Sequence, residues 1–141
     1  MSKIKVGFLG AGYIAGVHAA ILARDERVQI AAIQDLKKRR AEKLAHAAGA
    51  SVAHSVAEIL ATCDAIYITT PNTKHTELAI LCAEERKHVF CEKPMATNVA
   101  DARRILKVAG TNGRVFQVDA SIVRCAGRRA LRCKPGFPFL A

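Results

Sequence analysis

The stretch VGFLGAGYIAG, residues 6–16, joins a short apolar run to a glycine-rich turn and decides the fold. It carries a GxGxxA sequence where a buried strand should end and a helix begin. Glycines permit a tight turn and let backbone amides approach a pyrophosphate, which the positive helix N-terminus also attracts. Taken by itself, such a motif is also compatible with a glycine-rich turn that has only a structural role. The residues predicted to contact a dinucleotide here are Gly10, Gly12, Tyr13 and Ile14.

Apolar runs recur along the chain, with helical patterns between them. The runs are short, and several are rich in β-branched residues, as expected of parallel strands whose two faces are both covered. Parallel strands need crossover helices, so the pattern predicts an α/β fold: a doubly wound parallel six-stranded sheet of the Rossmann type. The predicted strands are Ile4–Leu9, Val28–Ile33, a weaker one around Val52, Ala65–Thr69, Val89–Cys91 and Val115–Val118.

Capping signals and apolar periodicity mark the helices between these strands. The predicted N-terminal caps are Ser55 with Glu58 and Asn98 with Asp101, and the predicted helix stops are Gly49 and Gly110. The apolar residues with helical spacing are Ile14, Val17, Ile21 and Leu22 in the first helix, and Val99, Ala102, Ile105, Leu106 and Ala109 in the last.

Length and composition predict one globular domain. The chain has 141 residues, of which 51% are hydrophobic and 24% charged, which excludes a disordered protein and leaves no room for a second full domain. We expect a dinucleotide-binding domain over residues 1–118 and an irregular basic tail over residues 119–141.

The net charge of +10 is unevenly distributed. Residues 120–141 contribute +5 without any acid, which leaves +5 for the first 119 residues. The first 119 residues are thus only mildly basic, and the tail lacks aromatic residues between its arginines. Both observations argue against a nucleic-acid partner.

Five cysteines form neither a CxxC pair nor a familiar metal-ligand spacing, so we expect reduced thiols and no metal site. Glycines interrupt the first apolar stretch too early for a signal peptide, and no segment reaches membrane-spanning length. We therefore expect a cytoplasmic protein that does not bind a membrane.

Asp35 follows the second predicted strand, 20 residues after Ala15, where a carboxylate can accept hydrogen bonds from an adenosine ribose. A helix N-cap is an equally suitable role for it. An acid here disfavours a 2′-phosphate, although the basic residues 37–39 are close enough to accommodate one. We expect NAD as the cofactor, with NADP not excluded.

The fourth strand ends in YITTPNTKHTELA, residues 67–79. Pro71 should stop the strand, while Thr70 and Asn72 offer polar groups either to a ligand at the point where strand order reverses or to the next helix as caps. His75, in the first turn of that helix, is a candidate cofactor contact, with a packed or solvated histidine as the alternative.

Three segments, GAGYIAGVHA, TPNTKHTELA and CEKPMA, occur in an order and spacing that resemble the N-terminal half of the Gfo/Idh/MocA family. This is the glucose-fructose oxidoreductase and inositol dehydrogenase group of NAD(P)-dependent enzymes. The resemblance runs from about Lys3 to Val118. Its most specific part is the Glu-Lys-Pro element, which generic Rossmann domains lack.

The resemblance implies roles for the Glu-Lys-Pro residues. Lys93 matches the family lysine that reaches the substrate oxygen beside the nicotinamide and acts in proton transfer or carbonyl polarisation. Glu92 would help hold the site together, and Pro94 would follow a peptide that is often cis. The implied substrates are sugars, cyclitols or related hydroxyl and carbonyl compounds.

The family's substrate-binding second domain is not recognisable after Val118. A frameshift or premature stop is the first explanation for the tail, ahead of a retained cofactor-binding module and of a basic tail for an acidic partner. We expect a truncated NAD(P)-dependent oxidoreductase, or alternatively a nucleotide-binding module without catalytic activity. Apolar surface left by a missing domain would favour self-association.

Overall fold

A computed structural model describes residues 2–111 and 113–119; of the predicted tail over residues 119–141, only Asp119 lies among them. The elements in chain order are β1 (Ile4–Leu9), α1 (Tyr13–Leu22), β2 (Val28–Gln34), α2 (Lys38–Ala48), β3 (Ser51–Val52), α3 (Val56–Thr62), β4 (Ala65–Ile68), a 3-10 turn (Asn72–Lys74), α4 (His75–Glu84), β5 (His88–Cys91), α5 (Val99–Thr111) and β6 (Phe116–Val118).

The strands form one six-stranded sheet in the order β3-β2-β1-β4-β5-β6, and every pair is parallel. The predicted α/β doubly wound fold is therefore confirmed, with strand bounds within about one residue of those expected from the apolar runs. Strand order reverses between β1 and β4. The loops that follow these two strands diverge there and leave the crevice in which ligands of such sheets bind.

Two apolar clusters cover the two faces of the sheet. Buried residues of α1 and α2 pack with β1 and β2 on one face. Buried residues of α3, α4 and α5 pack with β1, β4 and β5 on the other. Because right-handed crossovers move in opposite directions from β1 and from β4, α1 and α4 lie on opposite faces.

Most helix-end signals are confirmed. The Ser55 hydroxyl accepts the Glu58 amide at 3.2 Å, and the Asn98 side chain accepts the Asp101 amide at 2.9 Å. Gly49 ends α2 in the left-handed conformation, with φ of +64°. The predicted stop at Gly110 is wrong, because α5 continues to Thr111.

Not all the apolar residues with helical spacing in the first and last helices are buried. In α1 the buried side chains are Ala15, Ala19 and Leu22, whereas Val17 and Ile21 are exposed. Two of these three buried residues are alanines, so small side chains make much of the contact between this helix and the sheet. In α5, Ile105 is buried while Val99 and Leu106 are exposed.

None of the helices within residues 2–111 and 113–119 is long and apolar enough to cross a bilayer.

Candidate functional site

The turn after β1 requires glycine at its first position. Gly10 has φ of +96°, and a Cβ added there would lie 2.7 Å from the carbonyl oxygen of Thr69 and 2.9 Å from the amide nitrogen of Thr70. Both the conformation and the close approach exclude a larger residue. This turn therefore lies against the backbone that follows β4, at the switch point of the sheet.

The second glycine leaves open space in front of α1. Among residues 2–111 and 113–119, a Cβ added to Gly12 would meet nothing within 4 Å, and no side chain caps the helix. The first-turn amides of a helix have no intrahelical acceptor, and the helix dipole is positive there. Tyr13 is 89% exposed and Ile14 is half-buried at the same end. The arrangement suits a phosphate group lying against backbone amides.

Asp35 ties the end of β2 to the glycine turn. One carboxylate oxygen accepts the Ala11 amide at 2.7 Å, and the other accepts the Lys37 amide at 2.7 Å. The residue is half-buried, and each oxygen keeps a further lone pair for a ligand hydroxyl. The N-cap of α2 is Lys37, so the alternative in which Asp35 is the helix N-cap is wrong. The contact of Asp35 with a ribose stays a prediction.

Two threonines follow β4 and differ in their partners. The Thr69 hydroxyl contacts the carbonyl oxygens of Leu9 and Gly10 at 3.1 and 2.9 Å. The Thr70 hydroxyl is buried and has no hydrogen-bond partner among the residues that the structure describes. Buried polar groups are nearly always paired, so this orphaned hydroxyl at the switch point fits a site that a polar ligand completes.

Pro71 and Asn72 are exposed where the chain leaves β4 and enters the 3-10 turn. Within the part of the chain that the structure describes, no side chain caps this turn or α4. The alternative in which Thr70 and Asn72 act as helix caps therefore finds no hydrogen bond to support it.

His75 is fully buried at the start of α4. Its Nδ1 lies 2.8 Å from the carbonyl oxygen of Pro94, and its Nε2 lies 2.8 Å from that of Thr70. Both ring nitrogens are occupied by protein atoms, so the geometry favours a structural link over the direct cofactor contact expected from sequence.

The Glu-Lys-Pro element begins immediately after β5, one strand away from the switch point. Lys93 is exposed, and the Lys93–Pro94 peptide bond is cis. Glu92 is buried; one oxygen lies 2.6 Å from Nε2 of His18 and the other accepts the Lys93 amide at 3.3 Å. Asp119, just after β6, places a carboxylate oxygen within 4.8 Å of a ring nitrogen of His18 and a carboxylate oxygen of Glu92.

Burial makes the neighbouring thiol unreactive. It raises the pKa of Cys91 to about 12, and the Glu92 carboxylate adds to the effect. The Cys91 thiol also donates to the Glu92 carbonyl at 3.4 Å. Among the side chains at the end of β5, this leaves the Lys93 amine as the exposed nucleophile or proton carrier.

The fold thus brings the glycine turn, Asp35, the end of β4 and the Glu-Lys-Pro element to one edge of the sheet. Sequence reasoning missed His18 and Asp119. The sequence places His18 on the helix that the glycine motif opens and Asp119 directly after the last predicted strand. Both residues were therefore expected beyond the C-terminal ends of strands. Their contact with Glu92 depends on which strands are neighbours.

Comparison with known proteins identifies the domain. The Gfo/Idh/MocA family model, described as an oxidoreductase family with an NAD-binding Rossmann fold, matches residues 4–120. Myo-inositol 2-dehydrogenase of Thermotoga maritima is 32% identical over 107 residues, which are 74% of this chain and 32% of that protein. An NADP(+)-dependent scyllo-inositol 2-dehydrogenase of Bacillus subtilis, IolU, is 32% identical over 80% of this chain and 35% of its own.

Among solved structures, GenD2 from gentamicin A biosynthesis in complex with NAD is similar to this chain with a TM-score of 0.81. It is 29% identical, and the match covers 84% of this chain and 34% of GenD2. The chain spans about a third of the length of the curated relatives it matches.

Proposed function

This chain belongs to the Gfo/Idh/MocA family of oxidoreductases and contains its NAD-binding Rossmann domain, and from this premise we propose that it serves an NAD(P)-dependent oxidoreductase reaction. The reaction is hydride transfer between the nicotinamide and a hydroxyl or carbonyl group of a sugar, cyclitol or related compound. Relatives named as a myo-inositol 2-dehydrogenase and a glucose-6-phosphate 3-dehydrogenase support this substrate class.

The orphaned Thr70 hydroxyl beside the glycine turn is the observation that carries the proposal. A buried hydroxyl without a partner and an uncapped helix N-terminus are explained together if a dinucleotide lies across the switch point. We assign pyrophosphate contacts to the backbone at Gly10, Gly12, Tyr13 and Ile14, ribose contacts to Asp35, and further contacts to Thr70, Pro71 and Asn72.

Lys93 is the proposed catalytic residue. Bound nicotinamide supplies or accepts the hydride. The Lys93 amine holds the proton of the substrate oxygen: as an ammonium it donates to a carbonyl oxygen that is being reduced, and as a free amine it takes the proton of a hydroxyl that is being oxidised. Its exposed side chain on a segment anchored by Glu92 suits this role.

We propose that the dinucleotide-binding domain ends with β6 at residue 118 and that the remaining substrate-binding groups come from outside the described residues. This division follows from the topology, since β6 completes the six-stranded sheet at its edge. A cytoplasmic location is part of the proposal, supported by the free, buried state of Cys63, Cys82 and Cys91.

The first experiment is calorimetric titration of the chain with NADH and, separately, NADPH. Micromolar binding of either is expected, with NADH bound more tightly because the Asp35 carboxylate would repel a 2′-phosphate. Absence of binding to a demonstrably folded chain would refute the cofactor assignment.

The alternative function is a nucleotide-binding module without catalysis. Turnover with inositols and sugars separates the two. Catalysis predicts NADH formation that Lys93→Ala removes while cofactor affinity stays within about threefold. Binding without any turnover supports the module.

A further inference from the structure

The Glu-Lys-Pro segment is anchored on both sides of Lys93. The residue before the lysine contacts a histidine of α1, and the residue after it contacts a histidine of α4. These helices lie on opposite faces of the sheet. Lys93 itself is exposed, so its position depends on how its two neighbours are held.

The contact on the α1 face joins His18 to Glu92. With 2.6 Å between Nε2 and the carboxylate oxygen, the ring N–H donates a short hydrogen bond to a buried acceptor. The ring is fixed further by an edge contact with Phe90, whose centroid is 5.0 Å away. Two ligands of one tetrahedral zinc ion are roughly 3.3 Å apart, so this shorter separation indicates a direct bond instead of a metal site.

The contact on the α4 face joins His75 to two carbonyl groups, those of Pro94 and Thr70, at 2.8 Å each. Both oxygens only accept, so a neutral ring donates to one of them at a time and a doubly protonated ring donates to both. His75 is fully buried, so these two contacts are made away from bulk solvent. The ring therefore links the loop after β4 to the loop after β5.

Both histidines also connect the Lys93 segment to the cofactor turn. His18 lies on the helix that the glycine motif opens, and His75 holds the carbonyl of Thr70, whose amide lies beside Gly10. We propose that His18 and His75 are positioning residues that hold Glu92 and Pro94 from opposite faces and so aim Lys93 at the bound nicotinamide. This inference rests on the proposed function.

Conservative variants separate this role from a general contribution to stability. In His18→Gln, the amide nitrogen takes the place of Nε2 and can still donate to Glu92, whereas His18→Ala cannot. In His75→Asn, the amide nitrogen takes the place of Nδ1 and keeps the Pro94 contact. In His75→Gln, it takes the place of Nε2 and keeps only the Thr70 contact.

The measurement is the chemical shift of Lys93 by nuclear magnetic resonance, in the whole chain carrying 13C-dimethylated lysines. Spectra are recorded with and without NADH, always in the presence of a chelator. Lys93→Arg identifies the signal by its loss. His46→Ala is the matched control, because His46 is exposed on α2, away from the segment.

In the unsubstituted chain and in His46→Ala, we expect NADH to shift the Lys93 signal. His18→Ala and His75→Gln should bind NADH within about threefold of the unsubstituted chain and lose about half or more of that shift. His18→Gln and His75→Asn should recover it. If the His75 variants fail to fold, the comparison of His18→Ala with His18→Gln tests the inference.

Three results would overturn the inference. One is an unchanged Lys93 shift in His18→Ala and His75→Gln. Another is loss of NADH binding in these variants, which would place the histidines in the cofactor site itself. The third is a Lys93 signal whose chemical shift stays the same when NADH binds to the unsubstituted chain. Failure of the unsubstituted chain to bind NADH is distinguishable, since it refutes the proposed function instead.

Discussion

Two glycines of one turn are required for different physical reasons. Gly10 is needed by the fold, because its φ of +96° and its approach to the Thr69 carbonyl leave no room for a side chain. Gly12 faces open space and has an ordinary negative φ, so the folded chain alone does not demand glycine there. Its small size matters only if a ligand occupies that space.

The contrast predicts opposite outcomes for the same substitution. Gly10→Ala should lower the free energy of unfolding by roughly 2 kcal/mol or more, because it combines backbone strain with a backbone clash. Gly12→Ala should leave that free energy nearly unchanged and weaken NADH binding by about tenfold or more, because its methyl group fills the phosphate space. Urea unfolding and calorimetry measure the two quantities.

Gly110→Ala is the matched control. Gly110 lies within α5 with nothing within 4 Å of an added Cβ, so the substitution should stabilise the chain by up to about 1 kcal/mol and leave NADH affinity unchanged. Unimpaired NADH binding by Gly12→Ala would contradict the placement of the pyrophosphate.

At the scale of elements, α4 and β5 bury their thiols against each other. Burial raises the pKa values of Cys82 and Cys91 to about 12; the nearby Cys91 thiol contributes for the first, and the Glu92 carboxylate for the second. Burial also raises the pKa of Cys63 at the end of α3. These cysteines behave as small apolar residues that pack helices onto the sheet.

Their ionisation predicts a loss of stability in alkali. A thiol whose pKa is higher in the folded state than in the unfolded chain contributes stability that is fully present below the unfolded value, near 9, and is lost as pH rises toward 12. The free energy of unfolding should therefore fall with pH above about 9. Cys82→Ala should reduce this dependence, as measured by urea unfolding from pH 8 to 11.

The same burial predicts that Cys63, Cys82 and Cys91 resist alkylation at pH 8 until the chain unfolds. Iodoacetamide labelling followed by peptide mass spectrometry reports each thiol separately. Rapid labelling of Cys91 in the folded chain would show that the end of β5 opens to solvent.

At the scale of the whole molecule, the face of the sheet that carries α1 retains exposed apolar side chains. Ile21 is 59% exposed, and Ile4 and Val115 are each 38% exposed at the same side as the rings of Tyr67 and Phe90. Burial of such a surface by another copy would gain free energy in proportion to its apolar area.

We therefore predict concentration-dependent self-association of the chain through this face. Sedimentation velocity should show species larger than the monomer, and Ile21→Lys with Val115→Lys should shift the population toward monomer. Val99→Lys changes another exposed apolar residue, on α5, and is the control. A chain that stays monodisperse and monomeric at all concentrations would refute the prediction.

Much of this protein was determined by local sequence. Apolar runs located the six strands, because parallel strands covered on both faces must be continuously apolar. The glycine turn and the Ser55 cap were readable because each depends on residues within a few positions of one another. Family resemblance added the Glu-Lys-Pro element to these signals.

Only the tertiary structure decided which distant residues meet. The partners of Glu92 and the two carbonyls at His75 follow from strand order and from the face to which each side chain points, and no local pattern encodes either. The same is true of Val17 and Ile21, whose spacing fits a buried face but which are exposed because small alanines make the contact with the sheet. Helical periodicity identifies an apolar stripe, whereas its burial depends on what packs against it.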